Sequence, residues 1–202
     1  MTVIIDYGVG NLFSLLCSLK AIGEDAKVSC DPEELRSADR LILPGVGAFE
    51  DAAKKLRASG LGRVLREEAE KGKPLLGICL GMQLLFERSL EYGEHKGLAL
   101  LKGSVVPMKG EIDDSLKIPH IGWNPLIIRK DCPIFRYIKN GDCVYFVHSY
   151  YATDCDESVA AVAEYDKELT AAVHKGNIFG CQFHPEKSGN VGLNILRAFC
   201  EQ

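Results

Sequence analysis

Gly77-Ile78-Cys79-Leu80-Gly81 follows the apolar run Pro74-Leu75-Leu76 and precedes Met82-Gln83-Leu84-Leu85-Phe86. This order predicts a buried strand, a corner flanked by glycines and a helix start, with a thiol at the corner. The pattern is the cysteine counterpart of the nucleophile elbow G-x-S-x-G: a strained turn exposes the nucleophile, and glycines flank it because side chains there would collide. A helix start beside the thiol favours thiolate and offers free N–H groups to an oxyanion. A buried cysteine on its own behaves as a small hydrophobe, so the remaining groups decide what Cys79 does.

A nucleophilic thiolate needs a base that later returns a proton to the leaving group. The chain has five histidines: His95, His120, His148, His174 and His184. His184 ends an apolar run in Gln182-Phe183-His184-Pro185-Glu186. Pro185 biases His184 towards extended backbone, and in an extended chain residues i and i+2 point to one side. Glu186 can then hold one ring nitrogen of His184 and leave the other for Cys79, which is the logic of a nucleophile–base–orienter triad. A lone histidine at a strand end is ordinarily a satisfied imidazole; the His-x-Glu spacing and the elbow cysteine favour the catalytic reading. Cys79, His184 and Glu186 are the candidate catalytic residues.

An oxyanion formed on an attacked carbonyl needs backbone donors. Leu80 N–H, directly after the nucleophile, is one. Pro44-Gly45-Val46-Gly47 follows another apolar run and can bring the Val46–Gly47 backbone close to a substrate; its plainer reading is an ordinary strand-to-helix turn.

These groups must be carried by a repeating framework. Val3-Ile4-Ile5, Ala26-Lys27-Val28-Ser29, Arg40-Leu41-Ile42-Leu43 and the run from Leu75 to Ile78 read as strands. Helical spacing joins Leu12, Leu15, Leu16 and Leu19, and returns over roughly Phe49 to Lys71 with a break near Gly60 and Gly62. Near-continuous apolar strands alternating with helices indicate a parallel sheet covered on both faces. From about Gly103 short β-type segments dominate, at 104–106, 126–128, 143–147, 159–162, 170–173 and 178–183, and 192–200 closes the chain as a helix. The expectation is one α/β domain over residues 1–202, a mostly parallel sheet with an added mixed β region. Gly8-Val9-Gly10 is no dinucleotide fingerprint, because Phe13 stands where a third glycine belongs and no acidic residue ends the second strand.

Composition narrows the classes. With 202 residues, 47% hydrophobic and 26% charged, the chain resembles an ordinary soluble globular protein with a sizeable core. A net charge of −4 gives no polybasic footprint for nucleic acid or an anionic membrane. No apolar stretch suits a membrane span, and no secretory leader is recognised. The eight cysteines are scattered, with no C-x-x-C and no H-E-x-x-H, so free thiols in a cytoplasmic protein are expected, with no metal and no cofactor.

Taken together, Leu43-Pro44-Gly45-Val46-Gly47, Gly77-Ile78-Cys79-Leu80-Gly81-Met82-Gln83 and Phe183-His184-Pro185-Glu186 resemble the class I (triad) glutamine amidotransferases. Asp6-Tyr7-Gly8-Val9-Gly10-Asn11, Pro119-His120-Ile121-Gly122-Trp123-Asn124, Phe146-Val147-His148-Ser149-Tyr150 and Pro185-Glu186-Lys187-Ser188 are similar to one branch of them, the glutaminase subunits of imidazole glycerol phosphate synthases. Met82 stands where the glutaminases of anthranilate or GMP synthesis usually carry histidine. The resemblance implies a flavodoxin-like fold that hydrolyses glutamine to glutamate and ammonia. It also implies a (β/α)8-barrel cyclase partner that uses the ammonia in histidine biosynthesis. By the same resemblance Gly47, Gln83, Glu91, Ser149 and Tyr150 would hold glutamine, and Asn11, His120, Trp123 and Lys187 would face the partner. Two other readings use the same residues: a stand-alone cysteine hydrolase of γ-glutamyl or peptide substrates, and a non-catalytic subunit with a vestigial site.

Overall fold

The computed structural model describes residues 1–202. The first half alternates β1 (Thr2–Ile5), α1 (Leu12–Ala21), β2 (Ala26–Ser29), α2 (Pro32–Ser37), β3 (Arg40–Leu43), α3 (Phe49–Ala58), α4 (Leu61–Glu70), β4 (Leu75–Ile78) and α5 (Leu80–Leu84). The second half runs β5 (Phe86–Ser89), β6 (His95–Lys96), β7 (Leu101–Pro107), β8 (His120–Pro125), β9 (Ile127–Ile128), β10 (Cys143–His148), β11 (Tyr150–Thr153), β12 (Val159–Tyr165), β13 (Lys167–Lys175) and β14 (Ile178–Cys181), and ends in α6 (Gly189–Cys200).

Eight strands form the central sheet in the order β2-β1-β3-β4-β14-β13-β12-β9. The five from β2 to β14 are parallel, and β13, β12 and β9 continue antiparallel. Both faces of the parallel part are buried. Val3 and Ile5 of β1 and Leu41 and Leu43 of β3 pack into one apolar layer with α3 and α4; Ile4 and Ile42 point into the other with α1 and α6. Double burial explains the unbroken apolar runs, since neither side of these strands meets water. The mixed β region adds a four-stranded sheet, β11-β7-β5-β6, and the antiparallel pair β10-β8.

Several elements depart from the sequence reading, β6, β8 and β11 lying outside the β-type segments expected. The elbow helix ends after five residues, and Phe86, expected to continue it, opens β5. α2, capped by the Asp31 side chain on Glu33 N–H at 2.9 Å, follows β2 where no helix was expected. The expected helix break appears at Gly60, whose φ of 74° separates α3 from α4.

What matters for function is the order β3-β4-β14. These three neighbours run parallel, so the loop after β3, the corner after β4 and the segment after β14 emerge together at one carboxyl edge.

Candidate active site

Cys79 occupies the corner after β4 with φ 53° and ψ −113°. That left-handed backbone is unusual for a residue with a side chain and costs on the order of 1–3 kcal/mol. Neighbouring contacts hold it there. Cys79 N–H donates to Cys181 O at 2.7 Å, and a Cβ on Gly81 would lie 1.8 Å from Leu43 O. One on Gly77 would lie 2.7 Å from Gly81 O and Met82 N, so the turn exists only because both flanking residues are glycine. Cys79 is 7% exposed, its Sγ having Val147 O at 4.0 Å and Gln182 Nε2 at 3.8 Å.

His184 and Glu186 come from the segment after β14. Glu186 Oε1 lies 2.8 Å from His184 Nδ1, and both side chains are 3% exposed. His184 N–H donates to Tyr145 O at 2.9 Å, while the Ser188 hydroxyl donates to His184 O at 2.6 Å and accepts Tyr145 N–H at 3.0 Å. His184 Nε2 is buried with no hydrogen-bond partner. Burial opposes charge on this ring, but Cys79 and Glu186 outweigh it and raise its pKa from 6.5 to about 9. No hydrogen bond joins His184 Nε2 to Cys79 Sγ; nucleophile–base contacts are commonly long without substrate and tighten when it binds.

Of the expected oxyanion donors, Leu80 N–H is engaged within the chain. Leu80 N–H donates to Gly45 O at 3.3 Å, so the carbonyl of the neighbouring loop fills the position an oxyanion would take. Val46 and Gly47 are exposed beside it, with Gly47 at φ 93°. Tyr7 fixes the start of the loop by donating to Pro44 O at 2.7 Å; burial raises the pKa of its hydroxyl and keeps it a neutral donor.

A cleft of about 330 Å³ opens over Cys79 and His184. Gly47, Gln83, Glu91, Ser149 and Tyr150 all line it. Gln83 is 5% exposed and its Nε2 is already committed to Tyr150 O at 3.2 Å and Gln182 Oε1 at 3.0 Å. Its Oε1 is the atom left for a ligand. The Glu91 carboxylate accepts Phe49 N–H at 2.6 Å.

The residues expected at a partner surface divide. Trp123 is 54% exposed and Lys187 is exposed, both beside Tyr145: the indole lies 6.0 Å from its ring and Lys187 Nζ 5.8 Å. Asn11 is half-buried as the cap of α1, accepting Ser14 N–H at 3.4 Å. His120 does not present its ring outward. It is 1% exposed, stacked between Phe146 and Tyr165, because its place on β8 alternates inward while Ile121 and Trp123 alternate outward.

His148, Gln182 and Ser188 were not singled out by sequence. His148 Nδ1 donates to Tyr150 O at 2.8 Å and its Nε2 lies 3.0 Å from His120 Nδ1; burial pushes its pKa down to about 3. A His148–Tyr150 contact follows local spacing. The Gln182–Gln83–Cys79 meeting depends on strands pairing across the sheet, which no local pattern announces. No set of three His, Cys, Asp or Glu side chains converges as a metal-ligand cluster.

A model of the family described as glutamine amidotransferase class-I matches residues 3–202. A protein of Caldanaerobacter subterraneus subsp. tengcongensis, named imidazole glycerol phosphate synthase subunit HisH, is 53% identical over 203 residues, covering 100% of this chain and 98% of that protein. One of the same name from Syntrophotalea carbinolica is 48% identical, with 98% of each chain covered. Among solved structures, one described as a glutamine amidotransferase superposes with a TM-score of 0.77 at 23% identity, over 98% of this chain and 97% of that one. The structure of PurLQS from Thermotoga maritima gives 0.75 at 22% identity, over 99% and 97%; at such identities the likeness is one of fold.

Proposed function

The chain belongs to the class I glutamine amidotransferase family, and from that premise we propose that it is the glutaminase subunit of an imidazole glycerol phosphate synthase. The observation that carries the chemistry is a thiol on strained backbone sharing a buried edge with an imidazole whose far nitrogen is held by Glu186.

Cys79 thiolate attacks the side-chain amide carbon of glutamine, and protonated His184 gives its proton to the departing ammonia. A γ-glutamyl thioester remains on Cys79. Neutral His184 then takes a proton from water, whose oxygen attacks the thioester; glutamate leaves and the thiolate returns. Glu186 keeps the ring in one orientation throughout and stabilises its charged form. Gly47, Gln83, Glu91, Ser149 and Tyr150 surround the glutamine, with the Glu91 carboxylate suited to its ammonium group.

The tetrahedral intermediates need Leu80 N–H and the Val46–Gly47 backbone, so the Gly45 carbonyl must first leave Leu80. Weak activity alone and strong stimulation in complex follow from that requirement. The ammonia passes to a (β/α)8-barrel cyclase, with Asn11, Trp123 and Lys187 on the partner side and His120 shaping that strand from beneath.

Replacing Cys79 by Ala should abolish glutamate release while partner binding persists. The assay is glutamine hydrolysis by the co-purified complex, followed by glutamine-dependent synthase turnover. Substantial glutaminase activity in a pure Cys79→Ala sample would overturn the assignment. So would hydrolysis of γ-glutamyl conjugates in preference to glutamine.

A further inference from the structure

Glu91 Oε2 accepts the Phe49 N–H at 2.6 Å across 42 positions of chain. Phe49 opens α3, and that helix lacks a cap of its own, since Ala48 at the N-cap position has no side chain that can accept. An uncapped start leaves N–H groups without partners, and a carboxylate there gains both a hydrogen bond and the positive end of the helix dipole. Glu91 meets one of those donors, the N–H of Phe49 at the first helical position, from a distant part of the chain. It is itself held in place: Glu91 N–H donates to Oγ of the fully buried Ser89 at 3.2 Å, and Leu90 N–H to Val105 O at 2.8 Å.

What this cap secures is the loop just upstream. Phe49 is fully buried, so its end of the loop is locked into the core. The other end is fixed by Tyr7 on Pro44 O. Between the two anchors stand Gly45, Val46, Gly47 and Ala48, and it is Gly45 O that engages Leu80 N–H. Anchors at both ends confine rearrangement to these few residues, so freeing Leu80 does not unravel α3. Glu91 Oε1 makes no hydrogen bond within the chain and stays available to a cation in the cleft.

We propose that Glu91 is a positioning residue for the oxyanion loop: by capping α3 through Phe49 it sets the frame in which Gly45 releases Leu80, besides meeting the ammonium of glutamine. The kinetic part of this inference rests on the glutaminase reading; the structural part does not.

Glu91→Gln keeps an oxygen for Phe49 N–H and removes the charge; Glu91→Ala removes both. In the complex with the cyclase subunit, Glu91→Gln should raise KM for glutamine about tenfold or more with kcat within about threefold of the parent. Glu91→Ala should add a loss of about tenfold in kcat. Equal kcat for the Gln and Ala variants would reduce Glu91 to a substrate contact and overturn the proposal. Hydrogen exchange at the Phe49 amide provides a readout free of activity. It should stay slow in the parent and Glu91→Gln and quicken about fivefold or more in Glu91→Ala. Unchanged exchange overturns the cap. If the parent complex releases no glutamate from glutamine, the glutaminase reading falls, and the exchange comparison still decides the cap.

Discussion

His184 sits between two groups that both favour its proton, in a place where burial alone would remove it. Burial lowers its pKa, Cys79 and Glu186 raise it, and the balance lies at about 9 against 6.5 for a free ring. A group whose pKa is raised by folding adds stability that is full below pH 6.5 and is lost as pH climbs through about 9. The denaturation midpoint of the parent should therefore fall more steeply over that window than that of a His184→Gln variant. The difference should be on the order of 2–3 kcal/mol, read from urea titrations at several pH values. Equal pH slopes would exclude a charged imidazole in the resting site. The His184–Glu186 pair was legible in the sequence because it is local, two residues apart across a proline. The engagement of Leu80 N–H by Gly45 was not, because a strand-end carbonyl reaching the next corner is set by how β3 and β4 pair, not by residue type.

The elbow shows how the elements make that pairing rigid. Gly77 lets β4 approach α5, and Gly81 lets α5 approach the end of β3, so closely that a Cβ at either would enter backbone space, and a Cβ on Gly180 of β14 would lie 2.6 Å from Met82 Cγ. Gly81→Ala should therefore cost about 3 kcal/mol or more, since Leu43 O is backbone and cannot move aside without shifting β3. Gly23→Ala makes the matched contrast: its φ is 81° but nothing lies within 4 Å, so only backbone strain of about 1 kcal/mol applies. Equilibrium unfolding of the two variants tests this, and a Gly81→Ala loss no larger than that of Gly23→Ala would show that the corner yields. The same scale explains what the sequence revealed of the fold. Unbroken apolar runs betray β1, β3 and β4 because both their faces are buried. β5 escaped because Leu84-Leu85-Phe86 continues a helical-looking apolar run although only five residues are helical. α2 escaped because its six residues bury only Leu35, leaving no stripe to detect. In β8 the inward and outward residues are legible as alternation only once β10 is known to lie beside it, His120 opposite His148 and Trp123 opposite Tyr145.

Across the whole molecule, exposed apolar side chains stand at the cleft and beside it. Val46 at 42% exposed lines the cleft, and Ile121 at 58% and Trp123 at 54% project from β8. Pro119, just before that strand, and Lys187, beside the triad, line the cleft itself. The proposed catalytic residues, the proposed oxyanion loop and exposed apolar side chains thus share one edge, so a body covering that edge would contact the loop that holds Leu80. This placement gives physical content to the proposed assembly with a cyclase: the partner would bury Ile121 and Trp123, shield the cleft from water and press on Val46 in one act. A large aromatic at the centre of such a patch is where binding energy concentrates. Trp123→Ala should weaken the complex about tenfold or more in Kd, by calorimetric titration with the purified cyclase subunit. The melting temperature of the isolated chain should change little, because the indole is 54% exposed and meets Tyr145 edge-on. Stimulated glutaminase activity at subsaturating partner should fall in step with occupancy and recover at excess partner. If stimulation stayed low with the complex fully formed, Trp123 would act on the loop itself and not merely on docking; if Kd were unchanged, the partner would seat elsewhere, and the shared edge would not be what couples assembly to catalysis.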